Sequence, residues 1–424
     1  MAGPLNRDLV LIYVAALLRA MGVGLTGVIL GLYLVRAGFS PTTIGLVVAA
    51  GLAGSALATL LAGFRADRLG RRRSLILLSL LAALGGFSFP LAGDFPALLG
   101  LAFLGMVNGM GRDRGAASAL EQAIIPEATS NQRRTWALAW YNILLDAGHA
   151  LGALAGALPF LLRAHLQVDL LASYQVTFWI YGALGLLGAL LYAFLSPQVE
   201  VQARVEAGAS PARAAQPQVR VEAGDPPARI SPEGKRVVTK LSALFFLDAF
   251  AGGFLTNALL AYWFFSRFGV AEESLAPLFA ATRLANAASH LVAAWLARRI
   301  GLVNTMVFTH IPSSLLLIAL PFAPSFAWAV VLFLARESLV EMDVPTRQSY
   351  VVAVVAPSER TYASGITSVV RNAGWAAAPT LGGYFMQSVS LAAPLIVAGG
   401  MKIVYDLLLY FAFRRLKPPE ERKD

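Results

Sequence analysis

Cysteine is missing from the chain, which excludes disulfides, thiol nucleophiles and thiolate metal ligands. Histidine is scarce, and His149, His165, His290 and His310 lie on four different segments with no metal-ligand spacing between any two. No Walker-type loop occurs, so ATP is not the energy source. Neither an HExxH nor a G-x-S-x-G element is present, which removes the two commonest hydrolase signatures. Charge is thin as well: 14% of residues are charged, where soluble domains carry roughly a quarter. What fills the chain instead is apolar, at 57%, in runs that exceed the ~20 residues a helix needs to cross the hydrocarbon core.

Twelve such runs are read as membrane spans: 9–36, 41–64, 73–93, 97–125, 133–162, 170–196, 237–267, 272–298, 302–323, 325–352, 358–387 and 391–415. The first is longer than a signal-peptide core and lacks a cleavage site, so it is expected to be retained. The expected fold class is therefore all-α, a polytopic membrane protein. The formal charge of +10 does not indicate a nucleic-acid partner, because its distribution is topological. With the N-terminus inside, the outer loops hold only Arg36, Arg163 and Arg267. The inner ones hold Arg7, Arg65, Arg68, Arg71, Arg72, Arg73, Arg133, Arg134, Arg298, Arg299, Arg360 and the basic residues of 204–240 and the C-terminus. Lysine and arginine accumulate on the inner side. This predicts a multi-pass protein of the cell inner (plasma) membrane with both termini cytoplasmic.

Residues 197–236 are the one long polar segment and split the spans six and six. Arg204-Val205-Glu206-Ala207-Gly208 recurs there as Arg220-Val221-Glu222-Ala223-Gly224. Sequence of such low complexity buries no core and is read as a flexible cytoplasmic linker. The domains expected are 1–196, this linker, and 237–424. The two six-span halves are internal repeats. Tyr33 aligns with Tyr262, Gly24 with Gly253, Gly70 with Gly301, Arg134 with Arg360, Gly148 with Gly374 and Gly156 with Gly382 at a nearly constant offset.

Between spans 2 and 3 runs Gly63-Phe64-Arg65-Ala66-Asp67-Arg68-Leu69-Gly70-Arg71-Arg72-Arg73-Ser74-Leu75. Its glycines suit a tight turn. The stretch resembles the loop 2–3 motif G-x-L-a-D-r-x-G-r-k-x-x-l of the major facilitator superfamily, departing at Arg65 where Leu is usual. The resemblance implies two six-helix bundles in parallel repeat with a substrate site near the midplane. It makes Gly63, Asp67, Arg68, Gly70 and Arg71 gating residues and places spans 1, 4, 7 and 10 around a central cavity. Spans 5 and 11 carry small-residue faces, Gly148, Gly152 and Gly156 on one and Gly374, Pro379, Gly382 and Gly383 on the other. They resemble, in degenerate form, the span 5 pattern of exporters in the superfamily; small residues also serve plain helix packing. The family's span 4 motif expects Arg where Gly105 stands, with Arg112 or Arg114 as substitute.

Charges inside spans are costly and mark function by default. Arg112-Asp113-Arg114 and the adjacent Arg336 and Glu337 are candidates, with a structural ion pair as the other reading. In the repeat alignment Arg19 corresponds to Asp248 and Glu121 to Arg347. Opposite charges at equivalent positions are expected to face one another across the cavity. Asp248, with Glu121 second, is assigned the coupling proton, and Arg19 and Arg347 the role of partner or substrate anchor. His149 is read as a packing residue, with proton relay as the alternative.

The function expected is secondary active transport by alternating access, in the form of a proton-coupled exporter of a small organic anion or drug-like compound. The intramembrane arginines favour an anion, because guanidinium binds carboxylate and phosphate in bidentate fashion. An importer or facilitator of a metabolite such as a sugar or carboxylate is the alternative, and a lipid flippase fits the same composition. No cofactor, metal or nucleic acid is expected. The partners are the lipid bilayer, a small-molecule substrate and protons, and the chain is expected to act as a monomer.

Overall fold

The computed structural model describes residues 7–113, 115–129, 133–200, 231–355 and 359–414. Arg114 and most of the linker lie outside them. Helix follows helix, and no strand occurs among the described residues. Helix starts are written in the sequence. Ser40 accepts the Thr43 amide ahead of Pro41, and Asp94 accepts the Ala97 amide ahead of Pro96; a side-chain oxygen here satisfies an otherwise unpaired N–H.

Span 1 is Arg7–Arg36, span 2 Pro41–Leu69, span 3 Arg71–Ser88 and span 6 Leu170–Ala193. Span 8 is Glu272–Ile300, span 9 Leu302–Ala319, span 11 Arg360–Ser388 and span 12 Ala393–Phe413. The other four are interrupted. Span 5 runs Arg134–Ala155 and Leu158–Leu166, span 7 Pro232–Gly253 and Asn257–Phe268, and span 10 Phe326–Val340 and Asp343–Ala353.

Span 4 departs furthest from the unbroken helix expected over 97–125. It consists of Phe95–Gly105 and Ala116–Glu127, joined by irregular backbone. The first half ends at Met106 with φ 56°, and Gly109 and Gly111 also adopt positive φ. Hydropathy does not register this change, since glycine is as compatible with lipid as with a turn. The freed backbone groups find partners: the Met110 amide donates to Asn108 Oδ1 at 2.9 Å, and the Gly109 carbonyl accepts from Ala258 N at 3.0 Å. Irregular backbone at membrane depth requires such internal satisfaction.

Among the described residues, eight helices are long and apolar enough to cross a membrane. The remaining spans are 4, 8, 10 and 11, which are broken or carry buried charge. Large apolar side chains such as Leu57, Leu60, Leu61 and Phe64 on span 2 are exposed, as a lipid-facing stripe requires.

The chain packs as two compact units. One holds spans 1 to 6 together with Thr256–Arg283; the other holds the rest of the second half. The repeats and the packing units are thus different partitions. In the first unit, a Cβ on Gly31 of span 1 would lie 2.0 Å from Ala258 O. There also the buried Glu272 carboxylate accepts from Tyr174 Oη at 2.7 Å and pairs with Arg163. The core around Tyr141, Tyr192, Ile12 and Ile124 belongs to this unit, and the one around Tyr350, Phe245, Tyr405 and Leu409 to the other.

Candidate functional site

In the first unit Arg19, on span 1, is the hub of a buried ionic cluster. Its Nη1 donates to Glu121 Oε1 at 3.0 Å and to Tyr192 Oη at 2.7 Å, its Nη2 pairs with Glu121 Oε2, and its Nε reaches Asp113 Oδ2 at 2.6 Å. Tyr141 Oη donates to Glu121 Oε2 at 2.8 Å. Glu121 is fully buried on the second half of span 4, and Asp113 lies on the irregular stretch. One guanidinium therefore serves two carboxylates, in the fork geometry that suits arginine. His149 is a packing and positioning residue: its Nε2 accepts the Asp113 amide at 3.1 Å, tying the break in span 4 to span 5. Arg112 is half-buried within electrostatic reach of His149.

In the second unit Asp248, on span 7, is the hub, and its partners are cations. Its carboxylate lies 2.8 Å from Lys402 Nζ, 2.9 Å from Arg371 Nη1 and 3.6 Å from Arg347 Nη1. Arg347 is also held by Asp343 one turn earlier. His310 Nε2 stands 3.9 Å from Asp248, and its Nδ1 is 3.0 Å from Asp406. Lys402 and Asp406 share one face of span 12 by their four-residue spacing.

Arg19 pairs with Glu121, and Asp248 with Arg347, each within its own unit. A buried charge needs a partner at contact distance, and spans 1 and 4, like spans 7 and 10, are close enough to supply one. Both members of the pair have exchanged sign between the repeats, so the pair survives with its polarity reversed. The convergence of Arg371, Lys402, Asp406 and His310 around Asp248 was not read from the sequence. The available signal was the four-residue spacing of Asp343 with Arg347 and of Lys402 with Asp406.

The remaining candidates separate. Arg336 and Glu337 pair with each other, and Asn286 Nδ2 donates to Glu337 Oε2 at 3.2 Å, away from the Asp248 contacts. In loop 2–3, Arg71 Nε donates to Asp67 at 2.8 Å and its Nη1 to Glu127 at 2.6 Å, which links spans 2, 3 and 4. Glu200, just past span 6, accepts the Arg71 amide at 2.7 Å and the Arg72 amide at 3.1 Å; a carboxylate suits the positive end of span 3. Gly70 makes the turn, with φ 97°. Gly63 does not: it sits inside the helix of span 2, and a Cβ there would meet nothing within 4 Å. Arg68 is exposed.

The small-residue faces of spans 5 and 11 are packing surfaces. A Cβ on Gly152 would lie 1.9 Å from Met21 O, and one on Gly148 2.7 Å from Leu17 O, so span 1 runs directly on span 5. A Cβ on Gly156 would lie 2.7 Å from Val28 Cβ. On span 11, one on Gly374 would lie 3.0 Å from Phe246 O of span 7. Pro379 is inside that helix, and Gly382 and Gly383 are buried. Among the described residues no group of three metal-ligating side chains occurs.

These features define a polytopic helical membrane protein made of two related halves. The model of the Major Facilitator Superfamily matches residues 12–340 and, separately, 241–424. The chain belongs to this superfamily: it is a secondary transporter and not an enzyme. It is 26% identical over 422 residues to a Saccharomyces cerevisiae protein described as uncharacterized membrane protein YJR124C, covering 96% of this chain and 94% of that one. Its fold matches the crystal structure of a D-xylose-proton symporter with a TM-score of 0.74 at 16% identity, covering 98% and 99% of the two chains. The human organic anion transporter MFSD10 (TETRAN) matches with a TM-score of 0.59 at 18% identity over 96% of this chain and 100% of that one.

Proposed function

We propose that this transporter moves a small organic anion across the cell membrane by alternating access, with proton coupling through Asp248 and Glu121. The observation that carries the reading is the convergence of Arg371, Lys402 and Arg347 on the single carboxylate of Asp248. Such a group holds its charge only while its partners hold theirs, so a proton, a solute anion and a conformational change act on the same contacts. The organic anion transporter among the fold relatives agrees with the substrate class, and the proton symporter with the coupling ion. The proposed topology keeps both termini and loop 2–3 on the cytoplasmic side, where positive charge accumulates, in a chain acting as a monomer. Loop 2–3, through Asp67, Arg71 and Glu127, is the proposed gating element.

Export is the direction suggested by the likeness of span 5 to exporters. The contacts of Gly148, Gly152 and Gly156 with span 1 account for those residues by packing alone, so direction is a separate measurement. The test is reconstitution into liposomes with a pH gradient imposed in each sense, screened against carboxylates, organic phosphates and hydrophobic cations. Anion movement driven by the gradient, and lost in Asp248→Asn, is expected. Full gradient drive in Asp248→Asn, or movement of cations alone, contradicts the reading. The sense of the gradient that drives accumulation distinguishes export from uptake.

A further inference from the structure

We propose that Arg371, Lys402 and the Tyr405 hydroxyl form an oxyanion subsite whose resident occupant is the Asp248 carboxylate, so that a solute anion and a proton bind together. The inference rests on the reading of Asp248 as the coupling carboxylate and adds the ligand groups and the sense of coupling.

Every element packed against Asp248 contributes charge. Span 9 brings His310, span 10 brings Asp343 and Arg347, span 11 brings Arg371, and span 12 brings Lys402, Tyr405 and Asp406; Glu341 acts on Arg347 from a distance. Most of these groups have a second partner. Arg347 is held by Asp343, and His310 by Asp406. Arg371 and Lys402 both contact the Asp248 carboxylate, and Lys402 Nζ also stands 3.4 Å from His310 Nε2. Tyr405 adds an independent sign of a ligand. It is 1% exposed and lies within electrostatic reach of Asp248 and Arg347, and its hydroxyl has no hydrogen-bond partner among the described residues. A buried polar atom left unpaired needs an explanation, and an absent ligand is one.

Two cations and a hydroxyl donor match a carboxylate, phosphate or sulfate group. While Asp248 is ionised, it occupies the two cations and leaves the Tyr405 hydroxyl unpaired. An anion arriving without a proton would leave two negative groups competing for the same cations in a buried site, with one of them unpaired. A proton on Asp248 removes the competitor, and the anion then restores the charge balance of Arg371 and Lys402. By linkage, anion binding favours protonation, and protonation favours the anion. This is the linkage of symport, which an inward proton gradient drives as uptake, the opposite sense to the export suggested by span 5.

Sulfate is a suitable probe, since its own charge is constant over the assay range. Purified protein is titrated with sulfate in weak buffer containing a pH indicator, and the affinity is measured between pH 5 and 8, about the range over which such linkage is read. Uptake of close to one proton per sulfate is expected, with affinity rising about tenfold per unit of acidification. Asp248→Asn is expected to bind sulfate without proton uptake and with affinity independent of pH. Arg371→Gln and Lys402→Gln each weaken sulfate at least about tenfold, and Tyr405→Phe weakens it less. Sulfate binding with no proton taken up, proton release on binding, or no binding at all overturns the proposal, and the wild-type titration decides this even if a variant misfolds. Absent proton uptake together with lost gradient drive in Asp248→Asn liposomes removes shared binding alone. Intact gradient drive in those liposomes removes the coupling role itself.

Discussion

The two repeats solve one problem with opposite signs. Each joins its first span to its fourth by a buried ion pair, Arg19 to Glu121 in one and Asp248 to Arg347 in the other. Around the first, a lone guanidinium serves two acids; around the second, one acid is shared by three bases. The first cluster has a surplus of acid and depends on a single side chain. The second has several routes to charge balance and can lose a partner without collapsing. Duplication fixed where the charges sit, and the exchange of sign left one half with a cation between two acids and the other with an acid among three cations.

That contrast is breakable. Arg19→Met strands Asp113 and Glu121 together and is expected to cost about 3–5 kcal/mol of stability, read as a large fall in the thermal midpoint of the detergent-purified protein. Arg371→Gln leaves Asp248 with Lys402 and Arg347, so the expected loss is about 1.5–3 kcal/mol. A larger loss for Arg371→Gln than for Arg19→Met reverses the comparison. The helix contacts supply a finer version. Gly152 corresponds in the repeat alignment to Ala378, yet a Cβ on Gly152 would lie 1.9 Å from Met21 O. Gly152→Ala is therefore expected to lose about 1–3 kcal/mol, although the second repeat already carries alanine there; a neutral result in the same melting assay removes the asymmetry. Smallest is Glu200→Gln, which weakens the cap on span 3 and is expected to cost about 0.5–2 kcal/mol.

Much of this is legible in the amino-acid sequence. Apolar run length locates the helices, the loop at Asp67 and Gly70 points to the family, and the pairing of Arg19 with Asp248 in the repeat alignment locates both hubs. What stays hidden are properties that composition does not carry. The break in span 4 depends on the φ angles of Met106, Gly109 and Gly111, and an apolar glycine-containing run has the same hydropathy folded either way. The partners of Asp248 lie on four other spans, and periodicity within one helix does not say which neighbour its charged face meets. Gly63 shows the converse error: a motif position invites a turn, and the helix of span 2 continues through it.

The most direct test of the account is a pair of double-mutant cycles on thermal stability. Arg19 with Glu121 is expected to show a coupling of about 0.5–3 kcal/mol, and Arg19 with Asp248 a coupling near zero. A strong coupling between Arg19 and Asp248, with little between Arg19 and Glu121, would contradict the assignment of each ion pair to its own repeat.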